Sequence, residues 1–411
     1  MQSTAPITDV PPVRRVLLGI QFLFVAFGAT VLVPLLVNID PAVALCTAGV
    51  GTLIFHAITG GKVPVFLGSS FAFIAPILAA TEAYGLPGTL GGLMAVGAVY
   101  ALVSQLIRWQ GPEMIARIFP SVVVGPVIMV IGLSLAPVAV DMASDNWLLA
   151  VIVLSAAIVT VVFAQGLLRL IPILIGLIAG YVAAGAMGQL DMTPVLEAAW
   201  IALPGFTRPA FHLQAILYLI PVAIAPLIEH VGDMYAISGV AHQDFVKKPG
   251  LHRTLLGDGV ATLAAGLLGG PPNTTYSEVT GAVSLTRVVD PRVLRIAAIT
   301  AIVFSFLGKI SALLRTIPVA VLGGVMLLLF GMIACVGIKI LIDAKSNLNL
   351  TRNQVIVSVV LAVGIGGASI SLRQFTLEGI GLASVIGVLL HLILPGHSEE
   401  VTPSDEEDIL I

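Results

Sequence analysis

The chain has 411 residues, 58% of them hydrophobic and 10% charged, with a mean hydropathy of +1.08 and a formal net charge of −3. A soluble domain carries about 25% charged residues, so the composition excludes a soluble enzyme or binding module and points to an integral membrane protein. With no basic block and no aromatic–basic interleaving, it also excludes a nucleic-acid partner.

The apolar segments are helix-length and rich in Leu, Val, Ile, Ala and Gly, which predicts an all-α polytopic protein rather than a barrel. Residues 1–15 hold no apolar core and read as a cytoplasmic N-terminus without a cleavable signal. Hydropathy and turn residues place seven spans at 17–37, 41–59, 64–83, 87–108, 114–136, 147–165 and 170–188. An external loop over 191–212 leads to seven more, at 214–240, 254–269, 273–288, 293–309, 315–340, 354–371 and 377–395. Residues 396–411 read as an acidic cytoplasmic tail. With both termini inside, only Arg208, Lys309, Arg315 and Arg373 of the 19 Lys and Arg fall outside, the bias expected of a plasma-membrane protein in this orientation. Asp40, Glu82, Asp141 and Asp145 then lie in outside loops. Cys46 and Cys335 sit in apolar segments with no metal-binding spacing and read as buried small hydrophobes.

The two halves repeat. Gly49-Val50-Gly51-Thr52-Leu53, Gly60-Gly61 and Pro64 match Gly259-Val260-Ala261-Thr262-Leu263, Gly269-Gly270 and Pro271-Pro272. Phe119-Pro120-Ser121-Val122-Val123-Val124-Gly125-Pro126-Val127 matches Ile317-Pro318-Val319-Ala320-Val321-Leu322-Gly323-Gly324-Val325. A repeat of seven spans arrives inverted, so residues 16–190 and 213–395 form two inverted seven-span repeats, the construction used by alternating-access carriers.

Residues 271–287 carry a proline break, a run of hydroxyls and Glu278 between two apolar segments. Broken polar backbone at membrane depth survives only where protein buries it or where it lines a cavity. The repeat assigns the same place in the first half to residues 64–73. Both stretches read as a few extended residues feeding a shortened helix, so segments 3 and 10 are expected to pair as short antiparallel strands with two helix N-termini facing one cavity. Gly68, Ser69 and Ser70 also suit close helix packing, but the match to the second half favours the site.

Glu229, Asp233 and Glu278 are the carboxylates inside spans, and an intramembrane carboxylate is a functional candidate by default. Glu229 and Asp233, four residues apart, share a helix face, with His230 beside them. No Lys or Arg lies at that depth to pair with them. Asp258, near the inner end of its span and close to Arg253, reads equally as a gating residue or a structural cap. A carboxyl taken out of water holds its proton more tightly, and carboxyls pair with the N–H groups of a planar heterocycle. The chemistry suggested is proton coupling with recognition of a small neutral solute, needing no cofactor beyond a proton gradient and no metal. Tyr276 would stack on such a ring or serve as a wall. His56 and His391 read as structural.

Gln21…Phe27-Gly28-Ala29-Thr30-Val31-Leu32-Val33-Pro34, Leu67-Gly68-Ser69-Ser70-Phe71-Ala72-Phe73, Glu229-His230-Val231-Gly232-Asp233 and Pro272-Asn273-Thr274-Thr275-Tyr276-Ser277-Glu278 resemble the nucleobase–ascorbate transporter family over about residues 14–395. The resemblance implies fourteen spans, separate core and gate domains, a homodimer formed through the gate in many members, and proton-driven import of uracil or a related base. It implies that Glu229 and Glu278 bond the base and that the backbone N–H groups of Phe71 and Ser277 meet its carbonyls. Tyr276 and Ala29 would line the pocket, Phe330 would face it from the gate, and Asp233 would take the position linked to proton coupling. Val279, Phe22 and Ser277 depart from the family pattern, which has Asn, His and Gly there. Glu278 in place of Gln favours the uracil type over the xanthine type.

Other readings are a symporter for xanthine or another purine base, and an anion carrier of the same architecture, which three intramembrane carboxylates oppose. A membrane-embedded enzyme lacks its motifs here, with no His-Glu-x-x-His and no nucleophile elbow.

Overall fold

The computed structural model describes residues 6–111, 113–372 and 375–395. The acidic tail and Arg373 lie outside them. The first half contains helices Pro12–Leu36 (α1), Pro41–Ile58 (α2), strand Leu67–Ser69 (β1), and helices Ile74–Gln110 (α3), Glu113–Ile118 (α4), Ser121–Ser144 (α5), Trp147–Phe163 (α6) and Pro172–Ala186 (α7). After the short Thr193–Glu197 (α8), the second half contains Leu213–Leu219 (α9), Ile224–Ala241 (α10), Leu251–Leu268 (α11), strand Asn273–Thr275 (β2) and Ser277–Thr286 (α12). Pro291–Ser305 (α13), Gly308–Arg315 (α14), Val319–Asp343 (α15), Thr351–Ile365 (α16), the hairpin Ser369–Leu372 (β3) and Phe375–Glu378 (β4), and Gly379–Ile393 (α17) complete it. Among the described residues, six helical stretches are long and apolar enough to cross a membrane, and four further apolar helices are shorter.

Two packing units organise these elements. One joins α1, α2, α3, α9, α10, α11, α12 and α13 around the two short strands; the other joins α5, α6, α7, α15, α16 and α17. The repeat motifs mark the tightest contacts in both. Gly49 on α2 leaves no room for a Cβ against the Ala298 carbonyl of α13, and its counterpart Gly259 on α11 is as tight against Gly97 and Tyr100 of α3. In the second unit, Pro120 and Pro318 immediately precede α5 and α15, a position where the missing N–H and fixed φ of proline cost nothing. Gly125 near the start of α5 meets Gly337 and Leu341 near the end of α15, and Gly323 near the start of α15 meets Met142 and Ala143 near the end of α5. The two helices therefore run antiparallel in a seam that only small residues permit.

Several expectations need correction. The fifth span begins at Ser121, not 114, because Pro120 separates it from α4, and it runs on to Ser144. Asp141 is consequently on the last turns of a helix rather than in a loop, as is Glu82, which precedes the break in α3 at Gly85 (φ 69°). The span expected at 354–371 stops at Ile365, and a hairpin follows the Gly366-Gly367 pair. Cys335 is exposed on the outer face of α15, whereas Cys46 is buried. A residue type that favours burial does not fix which helix face it occupies.

The N-terminal stretch is also tied down. Ile7 bridges to Val288, and the carboxylate of Asp290, 1% exposed, lies 3.3 Å from Arg15 and 2.9 Å from Arg292. Burial pushes the Asp290 carboxyl up, but hydrogen bonds from the Arg292 side chain and the N–H groups of Arg292 and Val10 outweigh it and hold the group below the ordinary carboxylate range.

Gly323→Val puts a Cβ 2.4 Å from the Ala143 backbone nitrogen, where backbone cannot yield, and should lower unfolding free energy by about 1–3 kcal/mol. Gly331→Ala, with nothing within 4 Å of its Cβ, should leave the thermal midpoint unchanged or raised; both are read by thermal unfolding of purified protein. A carboxyl depressed on folding stabilises the protein above its unfolded pKa of about 3.9 and loses that contribution as pH falls through the folded value. Wild type should therefore lose stability below about pH 4 more steeply than Asp290→Asn, which starts lower at neutral pH.

Candidate functional site

The site begins with the strand crossing. Leu67, Gly68 and Ser69 pair antiparallel with Thr275, Thr274 and Asn273, and the Ser70 N–H donates to the Pro272 carbonyl at 2.9 Å. The threonines of the repeat hold both strands in place. The Leu67 N–H donates to Thr52 Oγ1 at 2.8 Å, and Thr262 Oγ1 donates to the Asn273 carbonyl at 3.1 Å. The Asn273 amide reaches on to the Thr47 carbonyl at 3.1 Å, resting where a Cβ on Gly51 would be. Thr52, Thr262 and Asn273 are determinants that sequence reasoning missed; the shared Thr in the repeat was the available signal.

Each strand feeds a turn of helix, Phe71–Phe73 ahead of α3 and Ser277 at the start of α12. First-turn N–H groups have no partner within their own helix, so the backbone nitrogens of Phe71 and Ser277 are open donors on either side of the crossing. Neither start is capped by a side chain of its own. Asp233 on α10 supplies the carboxylate instead: Thr275 Oγ1 and Ser277 Oγ each donate to it at 2.6 Å. A negative group at a helix N-terminus is favourably placed against the helix dipole.

Glu229 and Glu278 stand differently. Among the described residues Glu229 has no ion-pair or hydrogen-bond partner, and the Glu278 carboxyl reaches only its own backbone N–H. Glu229 lies within electrostatic reach of Asp233, Glu278 and Asp258. Glu229, Glu278 and Phe71 are half-buried and Ser277 is exposed, so none of the four is sealed into the core. The arrangement offers two carboxyl acceptors and two backbone donors to a planar polar molecule.

The remaining candidates are placed less openly. Tyr276 is 3% exposed, its ring lying over Gly68 and its hydroxyl donating to the Ser69 carbonyl at 2.9 Å. Ala29 is 2% exposed on α1, and Phe330, 1% exposed, belongs to the second packing unit on α15. All three share one buried cluster, which also contains Val279 and Phe22. The two departures from the family pattern thus exchange polar groups for core packing.

Asp258 lies about two turns inside α11, which neither caps the helix nor meets Arg253. Its carboxylate is 3.0 Å from His230 Nδ1, both groups fully buried, and His230 Nε2 lies 3.0 Å from Thr254 Oγ1. This contact joins α10 to α11 behind the substrate-facing side, and nothing in the sequence spacing announced it. His56 bonds the Val65 carbonyl at 2.9 Å and His391 bonds the Arg117 carbonyl at 3.0 Å, as structural histidines do. A cavity of about 520 Å³ between α1 and α3, bordered by Asn38, Thr81 and Glu82, lies away from this constellation.

Residues 14–372 match the model of a permease family, the nucleobase–ascorbate transporters. A probable uracil permease of Haemophilus influenzae is 50% identical over 397 residues, covering 94% of this chain and 96% of that one. The uracil permease of Bacillus caldolyticus is 45% identical over 419 residues, covering 98% and 97%. Among solved structures, SLC26A9 is similar with a TM-score of 0.68 at 11% identity, over 92% of this chain and 64% of that one. The transmembrane domain of the cyanobacterial bicarbonate transporter BicA has a TM-score of 0.60 at 14% identity, over 95% and 100%. These two likenesses speak for the fold alone.

Thr275→Val and Ser277→Ala each leave one Asp233 oxygen without its donor. Each should lower unfolding free energy by about 1–3 kcal/mol, and the double variant should depart from additivity because both act on one carboxylate. Thermal unfolding of the singles and the double measures this.

Proposed function

This chain belongs to the nucleobase–ascorbate transporter family, and on that premise we propose that it imports uracil with protons, by alternating access, across the plasma membrane. The observation that carries the reading is that Glu229 and Glu278, within electrostatic reach of each other, have no other side-chain partner among the described residues, while the helix starts at Phe71 and Ser277 leave first-turn N–H groups without an intrahelical partner. Uracil presents ring N–H donors and carbonyl acceptors around one plane. The two carboxyls accept from the ring nitrogens, and the two backbone nitrogens donate to the carbonyls. Tyr276 and Ala29 form the wall beneath, and Phe330 closes the pocket from the gate.

Proton coupling rests on charge. Asp233, Glu278 and Asp258 all lie within electrostatic reach of Glu229 in one region, and intramembrane carboxylates mark proton relays in pumps and transporters. Asp233, held by two hydroxyls, is the coupling residue, with Glu229 and Glu278 sharing the load. Asp258, through His230, fixes α10 against α11 and acts as a gating residue. No cofactor enters beyond the proton gradient.

A pattern of matched contacts supports fourteen spans in two inverted repeats, 16–190 and 213–395. The contact of α2 with α13 has its counterpart in α11 with α3, α6 with α7 in α16 with α17, and α6 with α15 in α16 with α5. The unit around the strands is the core and the α5–α15 unit the gate, whose exposed apolar faces suit lipid or a second copy of the chain. Both termini are cytoplasmic on the charge bias.

A second reading, an anion carrier, draws on the structural neighbours, one titled an anion transporter and one a bicarbonate transporter. The carboxylates that face the space oppose it, because they repel an anion.

Labelled uracil uptake into cells lacking their own permease tests the proposal, with xanthine, thymine or hypoxanthine as competitors and with or without a protonophore. Uptake should be saturable, protonophore-sensitive and reduced about 10- to 100-fold by Glu278→Gln or Glu229→Gln, as for loss of a hydrogen bond to a charged group. Xanthine uptake in place of uracil would reassign the base, and failure with every base would favour the anion carrier.

A further inference from the structure

At the end of the core where α3 finishes and α11 begins lies a cavity of about 410 Å³ that plays no part in the site above. Arg108, His252 and Arg253 line it with Ser104 and Gln105. The Ser104 hydroxyl donates to the His252 carbonyl and ties the two helices together there. The His252 ring folds back over Gly250, whose φ of +103° and missing Cβ make room for it. Among the described residues, neither Arg108 nor Arg253 has a carboxylate partner.

Among the described residues, no nearby acid is free to supply one. Asp258 is engaged with His230 two turns deeper, and Asp244 lies 3.4 Å from Lys247. Glu82 is towards the opposite end of α3, and Asp40 precedes the opposite end of α2. Next to this cavity, across the end of α2, a second of about 370 Å³ is lined by His56 and Arg295, the latter with a buried Nε that has no partner. The N-terminus of α11 adds its own positive potential. Two guanidinium groups, an imidazole and a helix N-terminus converging without an acid form an anion site.

The rim identifies the anion. Trp109 is 73% exposed beside Arg108, and Leu102 and Leu106 are exposed on the preceding turns of α3. Tryptophan over a leucine face next to arginine marks the boundary between acyl chains and headgroups. We propose that this cavity binds the phosphate of an anionic phospholipid, with Arg108 and Arg253 on the phosphate oxygens and the acyl chains along the outer face of α3.

The full-length protein would be reconstituted in nanodiscs of phosphatidylcholine with graded phosphatidylglycerol, then extracted and its retained lipid counted by native mass spectrometry. Wild type should retain phosphatidylglycerol over phosphatidylcholine about thirtyfold more than Arg108→Gln/Arg253→Gln, on the scale of two basic residues at an anionic surface. Lys339→Gln, an exposed basic residue on α15, should behave as wild type. Equal retention by wild type and the double variant would overturn the proposal, and displacement by millimolar inorganic phosphate would overturn the lipid in favour of a soluble anion. If the double variant does not fold, wild type alone decides. Brominated phosphatidylglycerol should quench Trp109 fluorescence, read as the difference from Trp109→Phe, more than brominated phosphatidylcholine, and equal quenching refutes the site.

Discussion

Two stretches of non-helical backbone in the middle of an apolar fold are the constraint on which the rest depends. An unpaired backbone N–H or C=O in hydrocarbon costs several kcal/mol, so residues 67–70 and 272–275 must find partners without a sheet to join. They find them in each other, through three paired positions and the Ser70 to Pro272 bond. Each strand's remaining need is met by a threonine hydroxyl from the repeat, Thr52 or Thr262. What stays unmet are the first N–H groups of the two helices that follow. The donors of the site are thus the remainder left by a hydrogen-bonding problem solved everywhere else.

The carboxylates divide in the same way. Asp233 is saturated by Thr275 and Ser277 and so fixes the start of α12 against α10. Asp258 is occupied by His230 behind that helix. Among the described residues, Glu229 and Glu278 are the members of this acid set left without a partner from another side chain. What distinguishes this chain is the acid set on α10 and α12, since function belongs to the site rather than to the frame.

Much of this was legible because membrane insertion makes sequence speak plainly. The motif Gly-Val-x-Thr-Leu revealed the repeat and so placed the two broken stretches, but that its threonines anchor them, Thr52 to Leu67 and Thr262 to Asn273, emerged only from the structure. Matched prolines at 120 and 318 marked equivalent segments of the two halves, but the expected spans ran across both prolines and the antiparallel packing of α5 on α15 was seen only in the structure. Other features depend on three-dimensional placement that spacing does not encode. Asp258 and His230 are 28 residues apart on different helices. Cys335 occupies an apolar run yet points outward, because an all-round hydrophobic helix does not reveal its buried face. The Tyr276 hydroxyl donates to the Ser69 carbonyl, a partner 207 residues away that spacing does not announce.

The position of the site relative to the two packing units gives it a mechanical meaning. Within the second unit, Gly125 and Gly323 lock α5 and α15 backbone to backbone, so that unit resists internal shear. Within the first, Asn273, Thr52 and Thr262 bind the strand crossing to α2 and α11, so the donors travel with that unit as one body. Contacts between the units run chiefly through α17 with the turn at 220–223 ahead of α10, through α10 with α5 and α17, through the turn after α6 with α12, and through α1 with α7. On α10 the exposed Gly232, Tyr235 and Gly239 follow Glu229 along the helix, and a Cβ on Gly232 or Gly239 would meet nothing within 4 Å. A rigid bundle that carries the binding groups and meets its neighbour along a loosely filled face can slide without breaking its own hydrogen bonds. Alternating access then requires no rearrangement of the site, only a change in which side of the membrane it faces.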